Sequence, residues 1–75
     1  MKADPRILFG QRLRFLRKQK GWSQEILALE ADMDRSYVGG VEQGRRNISL
    51  VNICKLAETL GVKPGNLLNF SKLEK

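Results

Sequence analysis

Apolar residues along the chain recur at spacings of three and four, the mark of helices with one buried face, and no stretch alternates as a strand would. Phe9, Leu13 and Leu16 define the first such face. Asp4-Pro5 supplies an N-cap followed by proline at the first helical position, which predicts a helix from Pro5 to the stop at Gly21. Ser23 caps a second helix whose buried side is Leu27, Ala28 and Ala31, with Trp22 and Leu27 placed as a hydrophobic staple. Asp34 caps a third, running to about Gln43 before Gly44 stops it. Ser49 caps a fourth, Ile48 and Ile53 can staple it, and Leu50, Ile53, Ala57 and Leu60 mark its inner face before Gly61. A short fifth helix is predicted from Pro64 to about Phe70, and Ser71 to Lys75 are expected to fray. The expected fold is all-α, five short helices in one domain over residues 1–75, without linker or internal repeat.

Composition narrows the function by exclusion. Seventy-five residues make one small domain, and 41% hydrophobic with 29% charged residues is ordinary globular composition. A single cysteine and no histidine exclude an intrachain disulfide, a cysteine-cluster or histidine metal site and His-based acid–base catalysis. With no acidic cluster suited to a metal there is no catalytic constellation, so no enzyme and no cofactor are expected. So small a domain leaves little room for a small-molecule pocket. No apolar run approaches the roughly 18 residues of a membrane span, and the N-terminus lacks a signal-peptide layout, so a cytoplasmic protein is expected. Cys54, beside the apolar face of the fourth helix, reads as a buried, inert thiol.

Charge supplies the positive clue. Fourteen Lys+Arg against eight Asp+Glu give +6, a balance common in domains that bind nucleic acid or another anionic surface. Arg6, Arg12, Arg14, Arg17, Lys18 and Lys20 crowd the first helix, and Arg45-Arg46 follow a mid-chain glycine.

Two short helices joined only by Asp32 and Met33, inside a basic all-α domain, describe a helix-turn-helix over about residues 23–43. On that geometry Arg35, Ser36, Gly39, Gly40 and Gln43 share one face of the third helix, while Val38 and Val41 point into the core. Arg35 is then placed to donate bidentately to guanine, the commonest specific base contact, the alternative being a solvated surface charge. Ser36 can donate or accept. Gly39-Gly40 costs a short helix roughly 0.8–1.0 kcal/mol per glycine relative to alanine. Bare backbone lying close to thymine methyls or the sugar–phosphate wall would account for it; a tolerated pair or a break in the helix are the alternatives. Gln24 begins the second helix, where free N–H groups and the positive helix end suit a phosphate. Gln43, Arg45 and Asn47 lie at or just past the end of the third helix, placed for phosphate contact. Trp22 and Tyr37 read as packing residues.

The stretch WSQEILALEADMDRSYVGGVEQG, with Gln24, Leu27-Ala28 and Val41-Glu42-Gln43-Gly44, resembles the Cro/CI-type (XRE-like) repressor family. The five-helix layout, including LAETLGV at the end of the fourth helix, matches from about Ile7 to Phe70. Asp34-Arg35-Ser36-Tyr37-Val38-Gly39-Gly40-Val41-Glu42, followed by Arg45-Arg46-Asn47, is most similar to restriction–modification controller proteins within it. The resemblance implies that Gln24 holds the DNA backbone, that Arg46 reaches a base edge, and that Arg17 and Glu42 form a half-buried bridge. Three positions depart from the family pattern. Asp32 stands where glycine usually permits a left-handed turn, Ala31 is smaller than the usual leucine, and Lys63 is a poor cap for the fifth helix.

One such module touches too few bases to be selective, so a homodimer on a two-fold symmetric operator is expected, with half-sites about 34–36 Å apart. Val62, Leu67, Leu68 and Phe70 form the apolar set not needed by the first four helices and are the expected interface. The expected partners are double-stranded DNA, a second copy of the chain, and RNA polymerase. The dimer would block polymerase or, from an upstream site, recruit it through acids such as Glu25 or Glu30; repression and activation both stay open. The alternative is an antitoxin-like or other protein-interaction module with secondary DNA binding, for which five residues after Phe70 leave little room.

Overall fold

Three serine or aspartate side chains start the helices as the sequence reading expects. Asp4 Oδ1 accepts the Arg6 N–H at 2.9 Å, Ser23 Oγ that of Ile26 at 3.1 Å and Ser49 Oγ that of Asn52 at 3.1 Å. The computed structural model describes residues 4–73. It contains α1 (Pro5–Gln19), α2 (Gln24–Ala31), α3 (Arg35–Glu42), α4 (Leu50–Leu60) and α5 (Pro64–Leu67), followed by a 3-10 turn at Phe70–Leu73. No strand occurs among the described residues. Neither Asp34 nor Lys63 caps its helix through the side chain.

The first four helices each end at or just before a left-handed residue, Gly21, Asp32, Gly44 and Gly61. After α2, Asp32 takes the left-handed conformation (φ 57°, ψ 47°), and the N–H groups of Asp32 and Met33 return to the Leu29 and Ala28 carbonyls at 3.2 and 2.8 Å. Aspartate thus performs the turn usually given to glycine, and three residues separate the end of α2 from the start of α3, at an angle set by that turn.

Phe9, Leu13 and Leu16 of α1, Leu27, Ala28 and Ala31 of α2, and Val38 and Val41 of α3 meet Leu56, Ala57 and Leu60 of α4 and Leu67 of α5 in one core. Trp22, Tyr37, Ile48 and Ile53 pack around it, half-buried. Two glycines make the approach of α1 to α3 possible. A Cβ on Gly10 would stand 2.5 Å from the carbonyl oxygens of both Val41 and Glu42, so α1 lies directly on the end of α3. Gly44 (φ +79°) turns the chain out of α3 against Ile7, whose Cγ1 would be 2.7 Å from any Cβ there.

Several expectations are corrected. The fifth helix is one turn, ending at Leu67, and residues 71–73, expected to fray, belong to the 3-10 turn, which packs on α1. Residues 74–75 of that expected tail lie outside the described residues. Leu50 faces solvent at 73% exposure and Leu56 takes its place in the core, because α4 turns its 53, 56, 57, 60 stripe inward. Cys54 falls outside that stripe and is exposed, not buried. Leu67, expected at a dimer interface, is fully buried in the chain's own core (0% exposed). It fills the end of the bundle that the short α5 closes.

Arg12, one of the basic residues that crowd α1, is buried at 4% exposure. Its Nε donates to the Asn66 carbonyl at 2.8 Å and its Nη2 to the Asn66 side-chain oxygen, tying α1 to α5. Its guanidinium also lies 5.4 Å from the Phe15 ring centre. Buried and bonded in this way, Arg12 ties helices together, unlike the exposed arginines around it.

Candidate nucleic-acid interface

Helix α3 divides its residues as its periodicity requires. Val38 and Val41 are buried, while Arg35, Ser36 and Gln43 are exposed. Ser36 Oγ donates to Asp34 Oδ2 at 2.7 Å, so its single hydroxyl proton is engaged. What Ser36 offers outward is an acceptor oxygen. Arg35 makes no ion pair or side-chain hydrogen bond within the described residues and carries its donors at the exposed start of the helix.

The two glycines differ in role. Gly39 is half-buried, with the Gln24 Oε1 atom 3.5 Å from the position a Cβ would take. Gly40, expected on the exposed face, is instead buried, and the side chain of Arg46 crosses over it with Cγ 3.0 Å from a built Cβ. The backbone expected to be bare at Gly40 is covered by the Arg46 side chain, which reaches back across the helix from the turn that follows α3.

Glu42 anchors the other side of α3. Its carboxylate is buried and accepts from Arg17 Nε at 2.7 Å (Oε2), Arg17 Nη2 at 2.9 Å (Oε1) and Gln24 Nε2 at 2.9 Å (Oε1). Arg14 Nε approaches to 3.6 Å. Arg17 Nη1 donates to the Trp22 carbonyl at 2.7 Å. Hydrogen bonding to Glu42 raises the Arg17 pKa above its ordinary value, against the opposing effect of burial. Because a carboxylate only accepts, Glu42 also fixes which way the Gln24 amide points. Its nitrogen faces Glu42, and one N–H of that nitrogen is engaged there. Sequence reasoning placed Gln24 by its helix terminus alone and did not connect it to Glu42.

Arg45, Arg46 and Asn47 are exposed on the turn after α3, beside the free end of that helix. The Arg45 N–H returns to the Gly40 carbonyl at 2.9 Å, which holds this turn against α3. Among the four residues expected to form an interface, Leu68 is 47% exposed, Val62 and Phe70 are half-buried against the core, and Leu67 is sealed within it. No group of three His, Cys, Asp or Glu residues suited to a metal occurs among the described residues. No helix there is long and apolar enough to cross a membrane.

Two short helices joined by a left-handed turn, one presenting a polar face beside a cationic loop, make a helix-turn-helix domain, and the chain belongs to the helix-turn-helix family, whose model matches residues 13–67. Its relatives include control proteins. The chain is 48% identical over 74 residues to control protein C.BamHI of Bacillus amyloliquefaciens, covering 97% of this chain and 91% of that one. It is 45% identical over 73 residues to control protein C.MunI of Mycoplasma sp, covering 96% of each. The crystal structure of the restriction-modification controller protein C.AhdI from Aeromonas hydrophila superposes with a TM-score of 0.81 at 61% identity, over 83% of this chain and 94% of that one.

Proposed function

We propose that this protein is a sequence-specific reader of double-stranded DNA that regulates transcription as a homodimer on a two-fold symmetric operator, in the manner of a restriction–modification controller. The observation that carries this reading is the polar face of α3: Arg35 and Ser36 stand exposed at its start, with Arg45, Arg46 and Asn47 beside its end. Arg35 would donate to guanine O6 and N7. Ser36, with its proton held by Asp34, would accept, which suits the N6 amino group of adenine or the N4 amino group of cytosine. Gln24, Gln43, Arg45 and Asn47 would hold phosphates and fix the register of α3 in the major groove. Similarity to control proteins of comparable length supports the controller role. A dimer placed near a promoter would block RNA polymerase or recruit it. Such a protein acts with the DNA it reads, in the cytoplasm.

Selection from a randomised duplex pool at about 0.15 M salt tests the reading, because non-specific binding there weakens to about 10⁻⁴–10⁻⁶ M. The expected result is an enriched two-fold symmetric motif that changes in Arg35→Ala. Binding that disappears with salt and enriches no motif would overturn it.

A further inference from the structure

Arg46 lies outside the helices, on an exposed turn, where a long side chain would ordinarily sample many rotamers. Here its path is set. A Cβ built on Gly40 would meet Arg46 Cγ at 3.0 Å, Nε at 3.5 Å and Cδ at 3.8 Å, so the stem runs through the space that the glycine leaves empty. At its far end the guanidinium carbon sits 5.4 Å from the centre of the Tyr37 ring. That ring is held in turn. It is half-buried against the core, and its hydroxyl accepts from Asn52 Nδ2 at 3.0 Å, across from α4. Asn52 is itself fixed at the start of α4, where its backbone N–H is capped by Ser49.

We propose that Gly40, Tyr37 and Asn52 are positioning residues that seat the Arg46 side chain and aim its guanidinium at the DNA. The proposal rests on the reading of Arg46 as a DNA contact. It also explains the buried half of the glycine pair. The cost of glycine in a short helix is offset by an arginine arm whose conformation is chosen before the duplex arrives, so less freedom is lost on binding. A methyl at position 40 would crowd Arg46 Cγ and press the arm outward by a few tenths of an ångström, and a larger side chain would displace it further. Because the colliding atoms belong to a flexible, exposed side chain, the arm would swing away without disturbing the fold.

The test uses Gly40→Ala, Arg46→Ala and the double variant, on the operator obtained by pool selection and on a random duplex. Order at Arg46 Nε in the free protein is followed by side-chain 15N relaxation. Expected for Gly40→Ala are an unchanged or raised Tm, a loss of order at Arg46 Nε, and operator binding weakened roughly two- to tenfold. Affinity for the random duplex should hold, and the alanine should have no further effect once Arg46 is absent. A purely structural role for Gly40 would lower the Tm and would leave Arg46 ordered. The proposal is overturned if Arg46 Nε is mobile in the native chain, if it stays ordered in Gly40→Ala, or if the alanine weakens binding equally in the Arg46→Ala background. If Arg46→Ala alone binds the operator as tightly as the native chain, the DNA reading of Arg46 fails and takes the proposal with it. The relaxation data, which need no DNA, distinguish that failure from a failure of the seat.

Discussion

Arg17 and Glu42 stand 25 residues apart in sequence and meet inside the fold as a two-pronged ion pair, Nε to Oε2 at 2.7 Å and Nη2 to Oε1 at 2.9 Å. The pair joins α1 to the end of α3 and, through Gln24, to the start of α2, so one buried carboxylate sets the relation of three helices. Arg17→Met should therefore cost about 3–5 kcal/mol, because it strands a charge away from water, and should show as a lowered urea midpoint. Arg17→Met with Glu42→Leu should recover much of the loss, since no charge is then stranded. The raised pKa of Arg17 carries a definite sign. Its contribution is complete below the unfolded-state value and vanishes only as pH rises through the folded one. Stability between about pH 6 and 9 should therefore show no step from this group.

Gly10 and Gly39 should respond to alanine in opposite directions. At Gly10 the new methyl would lie 2.5 Å from two backbone carbonyls of α3, atoms that cannot swing aside. Overpacking of about 1–3 kcal/mol then outweighs the roughly 0.8–1.0 kcal/mol gained in helix propensity, and Tm should fall. At Gly39 the nearest atom is 3.5 Å away, an ordinary contact, so the propensity gain is kept and Tm should rise by up to about 4–8 °C. On the proposed reading of α3 in the major groove, operator affinity of Gly39→Ala should drop nonetheless, as the methyl would occupy space between α3 and the duplex. Unchanged affinity would remove Gly39 from the interface.

The contrast between Gly10 and Gly39 shows how far the sequence could be read. Local signals sufficed where the determinant was local: the caps at Asp4, Ser23 and Ser49, the left-handed Asp32, and the inward stripes of α1, α2 and α3. Gly10 carried no such signal, since a helical glycine is explained only by the helix that crosses it. The structural part played by Arg12 carries no local signal either, since its partner, Asn66, lies 54 residues away. The sequence leaves Leu67 free for a partner because the first four helices do not need the short helix that carries it, whereas the end of so small a bundle needs it as a lid. Within the candidate site, the exposure of Arg35 followed from periodicity, but the burial of Gly40 did not. It depends on a loop returning over the helix, which no spacing encodes.

Asp4 offers a pH prediction with no bearing on DNA. The Arg6 side chain, and then the Arg6 backbone N–H, donate to its carboxylate and hold its pKa below the ordinary aspartate value. A depressed folded-state pKa means that the cap's contribution is present above the unfolded value near ~3.9 and is lost as pH falls through the folded one. An NMR titration of the Asp4 carboxyl should therefore give a midpoint below the ordinary value, and Arg6→Ala should move it upward. A native midpoint at or above that value would contradict the hydrogen bonding described.

Leu68 is where the proposed dimer meets its sharpest test. With Leu67 sealed in the core and Val62 and Phe70 half-buried, Leu68 is the member of the expected set that presents a large apolar side chain to solvent. A charge there meets water in a monomer and a desolvated surface in a dimer, so Leu68→Glu should leave the fold intact and weaken self-association. Leu29, 76% exposed on α2, is the control: Leu29→Glu adds the same charge outside the expected interface and should not alter association. Sedimentation equilibrium across roughly micromolar concentrations separates the cases, because dimer population follows protomer concentration. Operator binding should follow the same order, with Leu68→Glu requiring more protein to fill a two-fold site than a single half-site would predict. If Leu29→Glu proves the disruptive change, the two-fold axis runs past α2 instead. If the native chain stays monomeric throughout, even on a symmetric duplex, the homodimer is wrong and Leu68 is an isolated apolar residue on the surface.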